Sequence, residues 1–370
     1  MGRRVLYLLT TTDRAESHSI VEMAARGVEA TVVCEPDAPM RGFFEAAGLR
    51  TIPLPMRSKL DWKAVRALRR LRQEQDFDIV HVYYKKALCL YNLAAVGLPR
   101  VPVVAYRGII GNLSYWDPYS WLSFLDPRIE RIVCVCEAIR RYFLDKRFLL
   151  VFRLFHPQRV VTIHKGHHTG WYRQESPRIP ADLQVPQGAV VIGCVARLKR
   201  RKGIVELIRA FERIPGGSGA YLLLVGSVEY PAIEQAVAAS PARERIRLTG
   251  FRQDAAQLAG AFDIVTLPSL RREGLPRAVI EAMSQGIPPV VSDSGGNPEL
   301  VTDRVSGRVL PAGDVDALYR ALRELVDNPE ERRLLGERAR ETIEQHFTVA
   351  STAGRTLEEY QALVPLQRDR

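Results

Sequence analysis

The stretch EGLPRAVIEAM, residues 273–283, places one carboxylate, Glu273, in a turn and a second, Glu281, inside a helix. Pro276 suits the first position of that helix, because its missing N–H has no intrahelical partner there and its φ is already helical. Gly286 follows, and glycine is common just beyond a helix C-terminus. The sequence therefore predicts a turn, a short helix and a glycine stop.

The turn and the helix together indicate a ligand site. The N–H groups of Gly274 and Leu275 would lie at the positive end of the helix, where a phosphate can bind. Glu281 stands in an otherwise apolar helical turn, and a ligand with several hydroxyl groups would explain it. Glu281 could equally form a surface ion pair with Arg277, four positions earlier. The helix alone leaves both interpretations open.

Strand-like apolar runs alternate with helical segments in two series. They cover 4–10, 29–34, 51–55, 77–84 and 102–108, and then 188–198, 220–226, 244–250, 262–269, 287–293 and 306–310. Such runs predict parallel strands with helices on both faces, and 370 residues exceed one ordinary core. We therefore predict an α/β protein of two doubly wound Rossmann-like domains facing each other across a cleft.

The proline-rich polar stretch 172–188 separates the two series and predicts the domain boundary. We place the first domain at 1–173, a linker at 174–187 and the second domain at 188–347. The first strand ends in Thr-Thr-Thr-Asp (10–13), and the chain has no dinucleotide-binding glycine motif there and no P-loop. A dinucleotide oxidoreductase and a P-loop NTPase therefore lose their main sequence support.

Composition indicates a globular protein, with 46% hydrophobic and 26% charged residues. No run approaches the roughly 18 apolar residues of a spanning helix, and the first apolar run is better explained as a strand than as a signal peptide. The five cysteines are scattered in apolar runs, which predicts buried thiols in the reducing cytoplasm. Cys134 and Cys136 lack a second pair at metal spacing, so we expect no metal site.

The net charge of +11 and the pI near 9.6 predict an anionic partner. Residues 59–72, with Arg57 just before them, predict a basic helix. It is either a solvated face or a nucleic-acid helix, but no nucleic-acid-binding motif accompanies it. The stretch 140–159, RRYFLDKRFLLVFRLFHPQR, mixes aromatic and leucine residues with cations. It predicts an interfacial helix on an anionic membrane, with a partner interface or a partly buried helix as the alternatives.

The second series carries cations at the start of its first crossover. Arg197 and Lys202 follow the strand 188–198, where they could bind a diphosphate and stabilise the charge of a departing nucleotide. A merely basic loop is the alternative. Phe251 follows a glycine turn that could border a nucleobase, and Ser269 shortly precedes Glu273.

The segments ARLKRRKG (196–203), EGLPRAVIEAM (273–283) and VVSDSGGNPELV (290–301) together closely resemble the family 4 retaining glycosyltransferases of GT-B fold. The resemblance covers the whole second domain. In the first domain, FDIVHVYY (77–84) and VVTIHKGHHTGWY (160–172) are similar to segments of bacterial envelope-polysaccharide members. Residues 348–370 resemble the terminal helix and tail that return to the first domain.

The resemblance implies a role for each matching residue. Arg197 and Lys202 would bind the donor diphosphate, Glu281 the ribose hydroxyls, and Glu273 the donor sugar, together with the N–H groups of Gly274 and Leu275. Catalysis would then depend on Glu273, Arg197 and Lys202. The rest of the donor site would include Phe251, Ser269 and Pro276. The family uses neither a metal nor another cofactor.

The first domain departs from the family pattern. Thr-Thr-Thr-Asp replaces a glycine-rich first turn, and Arg107 stands where a histidine is common. The acceptor-side candidates are therefore His81, Arg107, and His167 or His168. A lone histidine near a strand end is also commonly structural.

The sequence thus predicts a retaining, metal-independent glycosyltransferase that uses a nucleotide-sugar. Its acceptor would be a glycan or a lipid-linked glycan in bacterial envelope polysaccharide or lipopolysaccharide biosynthesis, reached at the cytoplasmic face of the inner membrane. A GT-B sugar-nucleotide epimerase and a non-enzymatic basic protein that binds lipid or nucleic acid are the alternatives. The donor, the acceptor and the oligomeric state stay open, and no nucleic-acid partner is expected.

Overall fold

A computed structural model describes residues 2–148, 152–172 and 177–365. The chain forms two compact units, Met1–Gly166 with Thr348–Arg370, and His167–Phe347. The first unit therefore ends before the predicted residue 173. Part of the predicted linker belongs to the second unit, because Leu183 is buried there against Val191 and Phe262.

The first unit contains, within the described residues, a seven-stranded parallel sheet in the order β3-β2-β1-β4-β5-β6-β9. The strands are β1 (Arg4–Leu9), β2 (Glu29–Cys34), β3 (Arg50–Pro53), β4 (Ile79–Val82), β5 (Val103–Arg107), β6 (Ile129–Cys134) and β9 (Val160–Thr162). The helices are α1 (Arg14–Ala25), α2 (Arg41–Ala46), α3 (Trp62–Glu74), α4 (Lys85–Ala94), α5 (Pro118–Trp121), α6 (Glu137–Leu144) and α14 (Val349–Leu363). The strand order reverses between β1 and β4, so ligands are expected beyond the carboxyl ends of these strands.

The second unit contains a six-stranded parallel sheet in the order β12-β11-β10-β13-β14-β15. Its strands are β10 (Val190–Val195), β11 (Ala220–Val225), β12 (Ile246–Gly250), β13 (Ile264–Leu267), β14 (Pro289–Ser292) and β15 (Arg308–Leu310). Its helices are α7 (Ile204–Glu212), α8 (Ala232–Ala239), α9 (Ala255–Ala259), α10 (Arg277–Ser284), α11 (Asn297–Leu300), α12 (Val315–Asp327) and α13 (Pro329–His346). The order reverses between β10 and β13. The prediction of two doubly wound α/β domains is confirmed.

The continuous apolar strands are buried because helices cover both faces of each sheet. In β1, every residue from Val5 to Leu9 is fully buried. Helix α14 contributes Ala353 and Tyr360 to the same core, so the C-terminal helix packs on the first unit. This burial fixes the carboxyl ends of the strands, from which the candidate site residues extend.

The prediction of one interfacial helix over 140–159 is wrong. Helix α6 ends at Leu144, and an antiparallel pair follows, β7 (Arg147–Phe148) and β8 (Phe152–Arg153). Residues 149–151 lie outside the described residues. Phe143 and Phe155 are buried and pack edge to face, because the core of the first unit takes up these apolar side chains.

The basic helix α3 is partly structural. Arg69 Nη1 donates to Ala94 O at 3.1 Å and to Val96 O at 2.6 Å, and Arg72 Nη2 donates to Pro99 O at 3.2 Å. These carbonyls lie at or beyond the end of α4, where backbone C=O groups have no N–H partner within the helix. Two of the cations in the basic run therefore hold neighbouring backbone in place.

All five cysteines are buried as free thiols, as predicted. Burial raises the pKa of Cys34 to about 11 and that of Cys194 to about 12. Among the described residues, no group of three or more His, Cys, Asp or Glu side chains is arranged to hold a metal ion. Within the same ranges, no helix has the length and apolar character needed to cross a membrane.

Candidate functional site

The predicted donor-side residues gather at the carboxyl edge of the second sheet. Arg197 follows β10, Ser269 follows β13, and the glycine turn at 295 follows β14, three strands that are neighbours in that sheet. The carboxyl ends of adjacent parallel strands meet at one edge, where doubly wound sheets bind ligands. The fold therefore assembles these residues at a position suited to a ligand.

A buried ion pair lies at the centre of this edge. Lys202 Nζ is 2.7 Å from Glu273 Oε2, and Ser269 Oγ donates to the same oxygen at 2.6 Å. Lys202 is 9% exposed and Glu273 6%. Ser292 Oγ donates to the carbonyl of Ser269 at 2.6 Å and so fixes that residue in turn. Buried charges are tolerated when they are paired and hydrogen-bonded, and this network meets both conditions.

A glycine brings Lys202 close to β13. The 3-10 turn Arg200–Lys202 leads into Gly203, whose φ is +69°. A Cβ at that position would lie 2.0 Å from the carbonyl oxygen of Pro268. Glycine is therefore required both for the left-handed backbone and for the close approach.

A second glycine fixes the backbone of Glu273. Gly295 has φ +65°, and a Cβ there would lie 1.9 Å from the carbonyl oxygen of Glu273. The N–H of Gly296 donates to Gly274 O at 3.2 Å. The turn after β14 thus packs directly against the turn that carries the catalytic candidate.

Helix α10 differs from its prediction by one residue at its start. Pro276 is the N-cap, with ψ 110°, and lies outside the helix, while its carbonyl accepts from Val279 N at 3.1 Å. Gly286, with φ +80°, follows the helix C-terminus as predicted. Across the described residues, the N–H groups of Gly274 and Leu275 donate no hydrogen bond, so both are available at the positive end of α10.

Both interpretations of Glu281 find support in its surroundings. Arg277 Nε lies 3.3 Å from Glu281 Oε1, so the predicted ion pair exists. The Glu281 side chain is only 12% exposed, whereas that of Arg277 is 68% exposed. Arg277 therefore orients a largely buried carboxylate from outside and does not exclude a ligand for it.

Two further donor-side candidates are open to solvent. Arg197 is exposed and has no ion pair within the described part of the chain. Phe251 is 76% exposed beside Gly250, whose φ is +69°. Phe251 follows β12, two strands away from β10, so it lies along the same sheet edge at a distance from the Lys202–Glu273 pair.

Of the acceptor-side candidates, His81 and Arg107 belong to the first unit and are buried there. His81 is 1% exposed, its Nδ1 lies 2.6 Å from Tyr360 Oη, and burial lowers its pKa to about 3. Arg107 is buried and donates to Ile109 O at 3.0 Å and to Gly111 O.

The histidine pair belongs to the other unit. His167 is buried, and its Nδ1 lies 2.7 Å from Tyr172 Oη. The side chain of His168 accepts from Gly170 N at 3.0 Å. Both histidines therefore make contacts within a few residues of themselves, and their acceptor-side role stays a prediction.

The first unit also contains a charged cluster that was not predicted from the sequence. Lys165 Nζ lies 2.8 Å from Asp13 Oδ1 and 3.1 Å from Glu16 Oε1, and Tyr84 Oη donates to Glu16 Oε2 at 3.1 Å. Asp13 follows β1 and Lys165 follows β9, so both lie at the carboxyl edge of the first sheet. Charged residues directly after two strands were the available signal.

Known proteins resemble this chain over both units. Residues 175–342 match the family model described as glycosyl transferases group 1, and residues 20–171 match the one described as glycosyltransferase family 4. The GDP-mannose-dependent monoacylated alpha-(1-6)-phosphatidylinositol monomannoside mannosyltransferase of Corynebacterium glutamicum is 34% identical over 167 residues, or 43% of each chain. The 2-deoxystreptamine N-acetyl-D-glucosaminyltransferase of Streptomyces fradiae is 29% identical over 375 residues, covering 89% of this chain and 88% of that protein.

The structure of Anabaena HepE with UDP and glucose matches with a TM-score of 0.77 and 20% identity, over 97% of this chain and 100% of that one. The chain spans about half the length of several curated relatives it matches, and 43% of the Corynebacterium protein.

Two doubly wound parallel α/β units are the architecture of GT-B glycosyltransferases, the class to which the similar solved structures belong. The two family models together take in most of the chain. Both parts of the chain thus match glycosyltransferase family models, and the predicted resemblance to family 4 glycosyltransferases is confirmed.

Proposed function

We propose that the protein transfers a sugar from a nucleotide-sugar to an acceptor hydroxyl with retention of anomeric configuration. The observation that carries this proposal is the buried Lys202–Glu273 pair. Glu273 is followed in sequence by Gly274 and Leu275, whose N–H groups donate no hydrogen bond within the described residues. An ammonium and a helix N-terminus together suit a diphosphate. The matches to two glycosyltransferase family models support a glycosyl transfer reaction.

The proposed donor site assigns one part of the ligand to each group. Lys202 and Arg197 bind the diphosphate, and Glu281 accepts hydrogen bonds from the ribose hydroxyls. Glu273 faces the donor sugar, positioned by Ser269. Pro276 shapes the turn, and the exposed ring of Phe251 borders the base.

The proposed reaction follows from this arrangement. The acceptor oxygen bonds to the anomeric carbon on the face from which the nucleotide diphosphate departs, as the bond between that carbon and the distal phosphate oxygen breaks. The acceptor proton passes to the departing phosphate oxygen. Lys202, Arg197 and the two N–H groups stabilise the negative charge that grows there, so the chain's own cations supply this stabilisation without a cofactor.

We further propose a lipid-linked or envelope glycan as the acceptor, reached at the cytoplasmic membrane surface. The Corynebacterium relative is named for a phosphatidylinositol acceptor, and the net charge of +11 favours an anionic surface. The Streptomyces relative is named for 2-deoxystreptamine, so a water-soluble acceptor is the competing outcome.

A panel of nucleotide-sugars tests the donor half. Ligands that bind the folded state raise the melting temperature, so the true donor and its nucleoside diphosphate should do so. Transfer is then measured with that donor, and NMR of the product should show the donor's anomeric configuration. If no nucleotide or nucleotide-sugar raised the melting temperature, the proposal would be contradicted. If the protein converted the donor to its epimer without any acceptor, it would be an epimerase.

A further inference from the structure

Five large apolar side chains of the first unit are exposed within two short stretches of chain, 60–62 and 109–121. They are Leu60 (42% exposed), Trp62 (58%), Ile109 (53%), Trp116 (85%) and Trp121 (46%). A single exposed apolar residue is ordinary, but a cluster with three tryptophans indicates an interaction surface.

Specific contacts hold these stretches and the end of α6 side by side. Lys59 Nζ lies 4.2 Å from the centre of the Tyr119 ring, which joins 57–62 to 109–121. Tyr142 Oη lies 3.3 Å from both the N and the O of Leu113, which joins 109–121 to α6. Lys146 Nζ lies 4.5 Å from the centre of the Tyr142 ring. Residues 57–62, 109–121 and 141–147 therefore form one continuous area, which we call the aromatic–basic surface.

Tyr115 organises the two most closely spaced tryptophans. Its ring makes edge contacts with Trp116 and Trp121, at centroid distances of 5.4 and 5.0 Å. Trp121 Nε1 donates to Tyr115 O at 2.8 Å. Because that N–H already has a partner, moving Trp121 out of water leaves no donor unpaired there.

Cations outnumber carboxylates on this surface. Its cations, with the adjoining residue of β8, are Arg57, Lys59, Arg141, Lys146, Arg147 and Arg153. Its three carboxylates are Asp61, Asp117 and Asp145, of which Asp61 caps α3 and Asp117 binds Lys85 Nζ at 2.9 Å. The surface is therefore positively charged around its tryptophans.

One pair of cations is placed against electrostatic preference. Arg147 and Arg153 are direct cross-strand partners in the β7–β8 pair. Like charges in that position destabilise a strand pair, and an anionic group bound between them would offset the repulsion. This arrangement favours a partner that carries phosphate.

We propose that the aromatic–basic surface docks on a bilayer with anionic phospholipid headgroups. Tryptophans lie at the headgroup level of membranes, and neighbouring cations bind lipid phosphates there. The surface brings the two together from three segments of chain. This inference rests on the proposed function, because a lipid-linked acceptor has to be reached at a membrane.

Vesicle sedimentation of the full chain tests the proposal. The protein should sediment with vesicles of phosphatidylcholine and phosphatidylglycerol in equal amounts, less with phosphatidylcholine alone, and less at high salt. Trp116→Ser with Trp121→Ser should weaken binding about tenfold or more. Arg147→Gln with Arg153→Gln should weaken it roughly 25-fold, about fivefold for each cation.

Matched controls come from other exposed positions. Val96→Ser with Val305→Ser removes two apolar side chains that are 59% and 44% exposed, and Arg304→Gln with Arg338→Gln removes two exposed cations. Both controls should sediment as the unmodified protein does. Stabilisation by the nucleotide-sugar without vesicles should be unchanged in every variant, which also shows that each one folds.

Other outcomes would overturn the proposal. The proposal is wrong if the tryptophan variant sediments with anionic vesicles as much as the unmodified protein does. It is also wrong if the unmodified protein does not sediment with them at all. If the tryptophan pair instead lowered transfer to a soluble glycan, the surface would bind sugar. If it split a dimer detected by light scattering, the surface would bind a second copy of this chain. If the protein sedimented with vesicles but no nucleotide-sugar raised its melting temperature, the proposed function would be rejected and the membrane-binding surface would still be supported.

Discussion

Lys202 and Glu273 form a buried ion pair, 2.7 Å from Nζ to Oε2, at the carboxyl edge of the second sheet. The ammonium is therefore fixed in place before a donor binds. Glu273 balances its charge and also keeps it from moving freely. When charge develops on a departing phosphate, the free-energy cost of rearranging the site is lower if its charged groups are already in place.

Lys202→Met should reduce both turnover and stability. Turnover should fall about 100-fold or more, because one charge-stabilising donor is lost. The free energy of unfolding should fall by about 3–5 kcal/mol, since a buried carboxylate loses its cation. Steady-state kinetics and urea denaturation measure the two effects.

The double variant Lys202→Met with Glu273→Gln separates them. It should recover part of the stability, because the uncompensated charge is gone, while turnover stays low. Recovery of turnover together with stability would show that the pair serves the fold alone.

Arg197→Gln should lower turnover about 100-fold with little effect on the fold. Arg197 is exposed and makes no ion pair within the described ranges, so its removal should change the unfolding free energy by less than about 0.5 kcal/mol. Arg200→Gln, an exposed cation of the same loop, is the matched control and should keep near-normal turnover. Equal loss of turnover in both variants would point to a general effect of loop charge.

Glu281→Gln and Arg277→Gln test the two interpretations of the helix α10 carboxylate. If Glu281 holds the ribose, Glu281→Gln should weaken donor binding about tenfold, roughly one lost charge-assisted hydrogen bond. Arg277→Gln should change it little, because that guanidinium contacts the carboxylate from solvent. Isothermal titration with the donor measures both, and equal small effects would favour the ion pair alone.

Substitution of Gly295, which follows β14, should impair the protein because the backbone of Glu273 lies against it. Gly295→Ala forces a left-handed φ on alanine and places Cβ 1.9 Å from Glu273 O, so the catalytic turn has to move. Gly313→Ala meets the same backbone strain, φ +84°, but its Cβ would have only an ordinary contact at 3.7 Å with Leu270 Cδ2. Both should lose about 1 kcal/mol or more of stability, and only Gly295→Ala should also lower turnover strongly.

The turn and helix at 273–286 were predictable because the residues that shape them share one stretch of sequence. Glu273, Pro276 and Gly286 are close together, and their residue types dictate a turn, a cap and a stop. The position of Pro276 was wrong by one residue because the sequence could not give its ψ.

The acceptor half depends on distant contacts. Sequence alone could not pair His81 with Tyr360 of the C-terminal helix, or Lys165 with Asp13. The segment 140–159 misled for a related reason, since Phe143 and Phe155 are taken up by a core that forms only in the folded unit. Whether a side chain with mixed character faces a membrane or a core is decided by tertiary packing.

His81 should make stability depend on pH. Burial holds its pKa at about 3, below the ordinary value of 6.5. Between these two values the unfolded chain binds a proton and the folded chain does not, so stability falls as the pH drops from 6.5 towards 3. Between pH 7 and pH 5 this histidine should account for a loss of about 2 kcal/mol, at about 1.4 kcal/mol per pH unit.

Urea denaturation of the unmodified protein and of His81→Gln at both pH values isolates this contribution, because other groups titrate alike in both. Between pH 7 and pH 5, the free energy of unfolding of His81→Gln should fall by about 2 kcal/mol less than that of the unmodified protein. The variant should also keep nucleotide-sugar binding, since His81 is 1% exposed, lies 2.6 Å from Tyr360 Oη and is not one of the proposed donor residues. A parallel pH dependence of the two proteins would mean that His81 is protonated in the folded state at pH 5, against the burial that lowers its pKa.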